Sequence, residues 1–221
     1  MASEFLSLEE ENYVRMSLLL TGISPRAVRV LFDSEFAPKC LYSSLKKESS
    51  KLRELKRQHI ISQTQWDRLF PPSHGVPDSK RFDITLMITL LRHLTSMTPP
   101  AGGYDRLPKS TETTHGADLA RIKFYRNRLA HLDDAKIDHA SFITDWHDIT
   151  SGICRIGGHQ FQLECDHLKT KHLDQTSHEI MLEIKSSNDE IRELKQSLQS
   201  LTKQINTYQQ DPLPMNIRGK T

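Results

Sequence analysis

Apolar residues recur along this chain at spacings of three and four, with almost no period-two alternation, so the pattern predicts a succession of helices. Ser7-Leu8-Glu9-Glu10 is a capping box, in which serine and glutamate satisfy each other's orphan amides. It opens a helix carrying Leu8, Tyr13, Val14, Met16, Leu18 and Leu20, with Gly22 as its expected end. Ser24-Pro25 starts a second helix, because proline at the first helical position forfeits no hydrogen bond. A polar stretch after Pro38, through Leu41, Leu45, Leu52 and Leu55, is helical with a break near Ser49. A short helix spans 62–69, and the Pro- and Gly-containing segment 70–81 is a loop.

Asp83 caps a helix over 84–94 that is apolar nearly all round, which predicts a place in the middle of a bundle. After a second loop at 99–110, a helix starting near Thr114 runs to YRNRLAH (125–131). Asp138 or Ser141 opens one more helix, with Phe142, Ile143, Trp146, Ile149, Ile153 and Ile156 at helical spacing, ended by Gly157-Gly158. The expected fold class is therefore all-α: a helical bundle over 5–160 and a linker over 161–175. A coiled-coil helix is expected over 176–209, its seam drawn from Ile184, Ile191, Leu194, Leu198, Leu201, Ile205 and Tyr208. The tail, 210–221, could open a further module.

Composition narrows the functional classes. Thirty basic side chains against 28 acidic ones leave a net charge of +2, too balanced for a broad electrostatic grip on nucleic acid. Any such contact must be local. No apolar run reaches the length of a membrane span. The acidic start, MASEFLSLEEEN, is no secretory signal, and three cysteines fit a reducing compartment, so a cytoplasmic protein without membrane attachment is expected. Cys154, His159, Cys165, His167 and His172 are ligand types for zinc, but their spacing matches no common finger or knuckle. Neither a metal nor another cofactor is expected. Three cysteines also cannot build the array that a RING-type ubiquitin ligase needs.

The chemistry worth weighing lies in YRNRLAH. Asn127 and His131 are one turn apart and share a helix face, with Arg126 about 140° around from His131. A long arginine can swing over that angle, so all three could meet one phosphate. His131, near the helix C-terminus, could give or take a proton. Arg126 could stabilise charge on a phosphorane by bidentate contact, and Asn127 could orient either partner. Together they suit transesterification of RNA, in which the ribose 2′-hydroxyl attacks its own phosphate. Arg121, Lys123 and Arg128 could add weaker contacts to the RNA backbone. His93, Trp66 and Trp146 read as lining or packing residues.

These residues resemble the R-x4-H motif of HEPN domains, in the form with a polar residue after the arginine. The blocks LSLEEENYVRM, QWDRLFPP, FDITLMITLLRHL, DLARIKFYRNRLAH and a Trp-containing helix closing at RIGG resemble the HEPN subfamily named after the DAZ-interacting zinc-finger ubiquitin ligase, over roughly residues 5 to 160. The resemblance implies an all-α bundle. It also implies a homodimer with both motifs at a shared cleft, and metal-independent cleavage by Arg126, Asn127 and His131. Such domains accompany signalling or NTPase modules in longer animal proteins. Two expectations follow. One is a module that binds or cleaves single-stranded RNA in an intracellular defence (innate immunity) or stress-sensing protein. The other is a catalytically silent dimeric scaffold.

Overall fold

In the computed structural model, the described residues are 6–72, 75–132 and 134–173, together with 176 and 179. The chain divides into two units, Met1–His178 and Glu179–Thr221, and the account below concerns the first. The coiled-coil helix expected over 176–209 and the tail after it lie outside the described residues, apart from the helical positions 176 and 179.

Every regular element among the described residues is helical, so the fold is an all-α bundle. Helix α1 (Leu8–Leu18) opens with the expected reciprocal cap, Glu10 N–H donating to Ser7 Oγ and Ser7 N–H to Glu10 Oε2. Gly22 does not end it. The chain passes through a π-helical turn, Leu19–Ile23, straight into α2 (Ser24–Glu35). The wider turn absorbs Gly22 without uncapping the backbone, and Leu19 and Leu20 stay in the core. Helices α3 (Leu41–Lys47) and α4 (Ser49–Arg57) break at Glu48, and α5 (Gln63–Leu69) starts from a second capping box at Ser62.

Helix α6 (Ile84–Leu94) begins at Asp83, whose carboxylate accepts from Leu86 N–H. It is not the central helix. Ile84, Leu86, Met87, Leu90 and Leu91 are buried, but Thr85, Thr89 and Arg92, at intervals of four and three, form a polar stripe that faces a cavity. The centre belongs to α8 (His139–Gly157), which packs against α7 (His115–Ala130), α2, α1 and α9 (Gln160–Thr170). Phe142, Trp146, Ile149, Ile153 and Ile156 supply its buried face, and Trp66 and Trp146 pack as expected.

The segment expected to be a linker departs most from the pattern. Residues Gln160–Thr170 form α9, which folds back after Gly158 (φ 98°) and buries Phe161, Cys165 and Leu168 against the core. Only three of its side chains are apolar and buried, too few to stand out from a polar sequence. Arg15 on α1 fixes its end, donating from Nε to Lys169 O (2.9 Å) and from Nη2 to Lys171 O (2.8 Å). The fold thus extends past residue 160.

Candidate functional site

Helix α7 presents the motif, and buried polar contacts set its position. Thr114 caps it, accepting from Ala117 N–H. At its first turn Gly116 lies so close to the 95–98 segment that a Cβ would overlap the carbonyl oxygen of Thr98. Behind the helix, Asp118 is fully buried and receives three charged hydrogen bonds. Arg121 Nη1 donates to its Oδ1 (2.7 Å), and Arg155 binds both oxygens (2.8 and 2.6 Å). Gly152 on α8 leaves the room this cluster needs, since a Cβ there would lie 3.2 Å from Asp118 Oδ1.

Arg121, expected as a weak RNA contact, is therefore displaced from that role. It has no exposed surface. Its guanidinium is consumed by Asp118, by Asp148 Oδ1 (2.7 Å from Nε), and by the carbonyls of Lys109 and Glu112. A buried guanidinium must be paired: Nη1 and Nη2 donate hydrogen bonds, while Nε is held by the Asp148 charge without hydrogen-bond geometry. The other two flanking cations reach the surface already paired: Lys123 Nζ is 2.6 Å from Asp105 and Arg128 Nη1 is 2.7 Å from Asp145.

Two neighbouring depressions hold the motif. The first is a cavity of about 300 Å³ between α6 and α7, walled by Ile84, Ile88 and Ile122 and edged by Arg92, Lys123, Arg126 and Asn127. The second is lined by Asp105, Phe124, Arg128 and His131. Tyr104, Lys123 and Asn127 border both. Asn127 and His131 thus share a face as expected. Arg126 is turned the other way, donating from Nη1 to Thr85 Oγ1 on α6 at 2.8 Å. Within one chain, the three side chains do not close on a single point.

The electrostatics distinguish Arg126 from its neighbours. It forms no ion pair among the described residues. Burial pushes its pKa down, against the weaker field of Asp83. That carboxylate is already engaged by Arg68 (2.9 Å), Gln65 and the N-terminus of α6. Arg126 is thus a half-buried cation without a paired carboxylate among the described residues. His131 is exposed at the C-cap of α7, and its backbone N–H remains on the helix, donating to Arg128 O (3.1 Å). The loop behind it is tied to α1, where Asn12 Nδ2 donates to Ile137 O (3.1 Å) and Ile137 N–H to Glu9 O. His93 lies in the cavity wall with its pKa lowered, first by burial and then by Arg92 and Lys51.

A profile of the DZIP3/hRUL138-like HEPN family matches residues 38–181. The chain belongs to that family. Among curated proteins, this HEPN domain is similar to the E3 ubiquitin-protein ligase DZIP3 of Mus musculus, 28% identical over 142 residues. Those residues are 62% of this chain and 12% of the mouse protein. The Homo sapiens protein of the same name is 26% identical over 155 residues, 68% of this chain and 13% of its own. The chain therefore spans about one eighth of the length of these relatives. No solved structure matches.

Sequence reasoning missed Thr85, Arg92 and Tyr104 beside the motif. The signal for the first two was legible, because Thr85, Thr89 and Arg92 are the polar interruptions in an otherwise apolar helix and fall on one face. Tyr104 sits in a loop without periodicity, and nothing in the sequence placed it there. Of the residues weighed for zinc, Cys165 is buried in the core, its thiol pushed up to about 12, and Cys154 donates to Gln162 Oε1. Among the described residues no group of acidic, histidine or cysteine side chains could hold a metal ion.

Proposed function

We propose that this HEPN domain binds single-stranded RNA at the exposed end of α7 and, as a homodimer, cleaves it by metal-independent transesterification. One observation carries the reading: Arg126 is a partly desolvated cation with no carboxylate partner among the described residues, one residue from Asn127 and five from His131. A desolvated, unpaired guanidinium favours a phosphate far more than a solvated one does. In the reaction, the ribose 2′-hydroxyl loses its proton as its oxygen bonds to phosphorus, and the bond to the 5′-oxygen breaks. That oxygen takes up a proton, leaving a 2′,3′-cyclic phosphate. His131 serves as general acid or base. Arg126 stabilises the phosphorane, and Asn127 orients the phosphate. Since Arg126 and His131 face adjacent depressions, a second copy completes the site. The setting is an intracellular defence or stress-sensing protein, with signalling or NTPase modules in a longer chain.

A different observation favours a silent dimeric scaffold. Lys123 and Arg128, the cations flanking the motif, are neutralised by Asp105 and Asp145, and the whole chain carries only +2. The ligase activity in the relatives' name belongs to much longer proteins, of which the matched segment is 12–13%, and is not carried over. The deciding experiment incubates the protein with fluorescent single-stranded RNA in EDTA, beside His131→Ala and Arg126→Ala. Cleavage to a cyclic phosphate that both substitutions abolish is the expected result. Absence of cleavage, with equally poor RNA binding by parent and variants at low salt, would hand the domain to the scaffold reading.

A further inference from the structure

The cavity between α6 and α7 extends beyond what a phosphate needs. Isoleucines 84, 88 and 122 form an apolar surface, and Tyr104 stands at the edge with the Arg92 guanidinium over its ring, 4.9 Å from the centroid. Its volume, about 300 Å³, is at the lower end of small-ligand sites. Among the described residues no carboxylate lines it. The charged groups at the rim, Arg92, Lys123 and Arg126, are all hydrogen-bond donors, and Arg92 forms no ion pair among the described residues. Lys123 and Arg126 lie on the side nearest the motif.

We propose that this cavity takes one unstacked guanine of the bound RNA, its adjoining phosphate resting on Arg126 and Asn127. The proposal rests on the RNA-binding reading and specifies what that strand must contain. An apolar wall of isoleucines with an aromatic ring at its edge suits the face of a splayed-out base. Arg92 chooses among bases. Guanine offers two acceptors, O6 and N7, on one edge, the pattern that an arginine fork reads, whereas adenine would set its amino donor, in place of O6, against the same guanidinium. Thr89 and the Asn127 carbonyl remain for guanine's own donors. Arg92 and Thr89 are specificity residues here, outside the catalytic set.

The test measures fluorescence anisotropy with two labelled RNA heptamers, one all adenine and one with a central guanine. The proteins are the parent, Arg92→Ala, Thr89→Tyr (which fills the cavity from its wall) and Arg126→Ala. Circular dichroism confirms that each variant is folded. The parent should prefer the guanine heptamer by about tenfold, the size of one bidentate base contact. The preference should vanish in Arg92→Ala and in Thr89→Tyr. Equal affinity of the parent for both heptamers, weakened alike by Arg126→Ala, overturns the base pocket and leaves RNA binding intact. Retention of the preference by Thr89→Tyr also overturns it. Failure of the parent to bind either heptamer removes both readings together.

Discussion

Arg121 on α7 and Asp148 on α8 meet across the helix seam, Nε lying 2.7 Å from Oδ1, and this contact couples the motif helix to the centre of the bundle. Asp148 accepts in turn from the Tyr125 hydroxyl at 3.0 Å, which also interacts with Asp145, and Asp145 pairs with Arg128. The chain of contacts runs from buried Asp118 to the surface turn that carries Asn127 and His131. The rotation of α7 about its axis, and so the direction of the motif, is held by charge pairing inside the protein rather than by an apolar stripe alone.

Arg121→Ala should therefore behave as a core substitution. It leaves Asp148 without its cation and removes the donor to the Lys109 and Glu112 carbonyls. Breaking a buried pair from one side costs about 3–5 kcal/mol. Arg155 still partners Asp118, so the lower end is expected. Urea unfolding reads the loss directly. A change below about 0.5 kcal/mol, the range of ordinary surface substitutions, would contradict the burial described here.

Tyr125 gives the fold a dependence on alkaline pH. Burial, and then the carboxylates of Asp148 and Asp145, raise its pKa above the ordinary 10.0. A group whose folded pKa is raised contributes stability that is complete below its unfolded value and lost as pH climbs toward the folded one. The parent should lose stability above pH 10 as the unfolded chain releases this proton. Tyr125→Phe should cost about 1 kcal/mol near neutrality through the missing hydrogen bond. Having no proton to lose there, the variant should close that gap as the pH rises. Urea midpoints of both proteins at neutral and strongly alkaline pH test it, and a constant gap would refute it.

The sequence reveals the helices better than the site. Caps at Ser7, Ser62, Asp83, Thr114 and Asp138 are local chemistry, and each opens a helix where its side chain accepts the expected amide. Helix α9 was illegible because its apolar positions are few and its burial depends on a reversal at Gly158. At the site, the spacing of Asn127 and His131 fixes their shared face. The direction of Arg126 was not readable, since it depends on Thr85, 41 positions away. Arg121 misled for a related reason. A cation between apolar residues on a helix looks like a solvated one until its partners, contributed by α8 and a loop, are known.

Gly116 provides a test of how tightly α7 is seated. Any side chain at this position meets the Thr98 backbone carbonyl, and its methyl would also come within 3.2 Å of the Tyr104 hydroxyl. Alanine normally favours a helix, so propensity predicts a gain of up to about 1 kcal/mol. Overpacking against backbone predicts a loss of about 1–3 kcal/mol, and the overlap here cannot be relieved by turning a side chain. Gly116→Ala should destabilise the domain, measured as a fall in the urea midpoint. A rise would mean that the 95–98 segment yields freely and does not fix the start of α7.

Asp105 restrains the candidate RNA surface. Its carboxylate is exposed, lies 2.6 Å from Lys123 Nζ and has its pKa lowered chiefly by the hydrogen bond from that lysine. Lys123 borders both depressions, so its charge is spent on the protein at the place where a strand would pass. Asp105→Asn keeps the shape of the side chain and releases the cation. If RNA binds there, affinity at low salt should rise. The plot of log affinity against log salt should also steepen by about 0.7, the increment for one more phosphate neutralised on a single strand. Lys123→Ala in the Asp105→Asn background should undo both changes, which separates the freed lysine from a general shift in net charge. An unchanged salt slope in Asp105→Asn would place the strand away from Lys123, and with it away from the border that joins the two depressions.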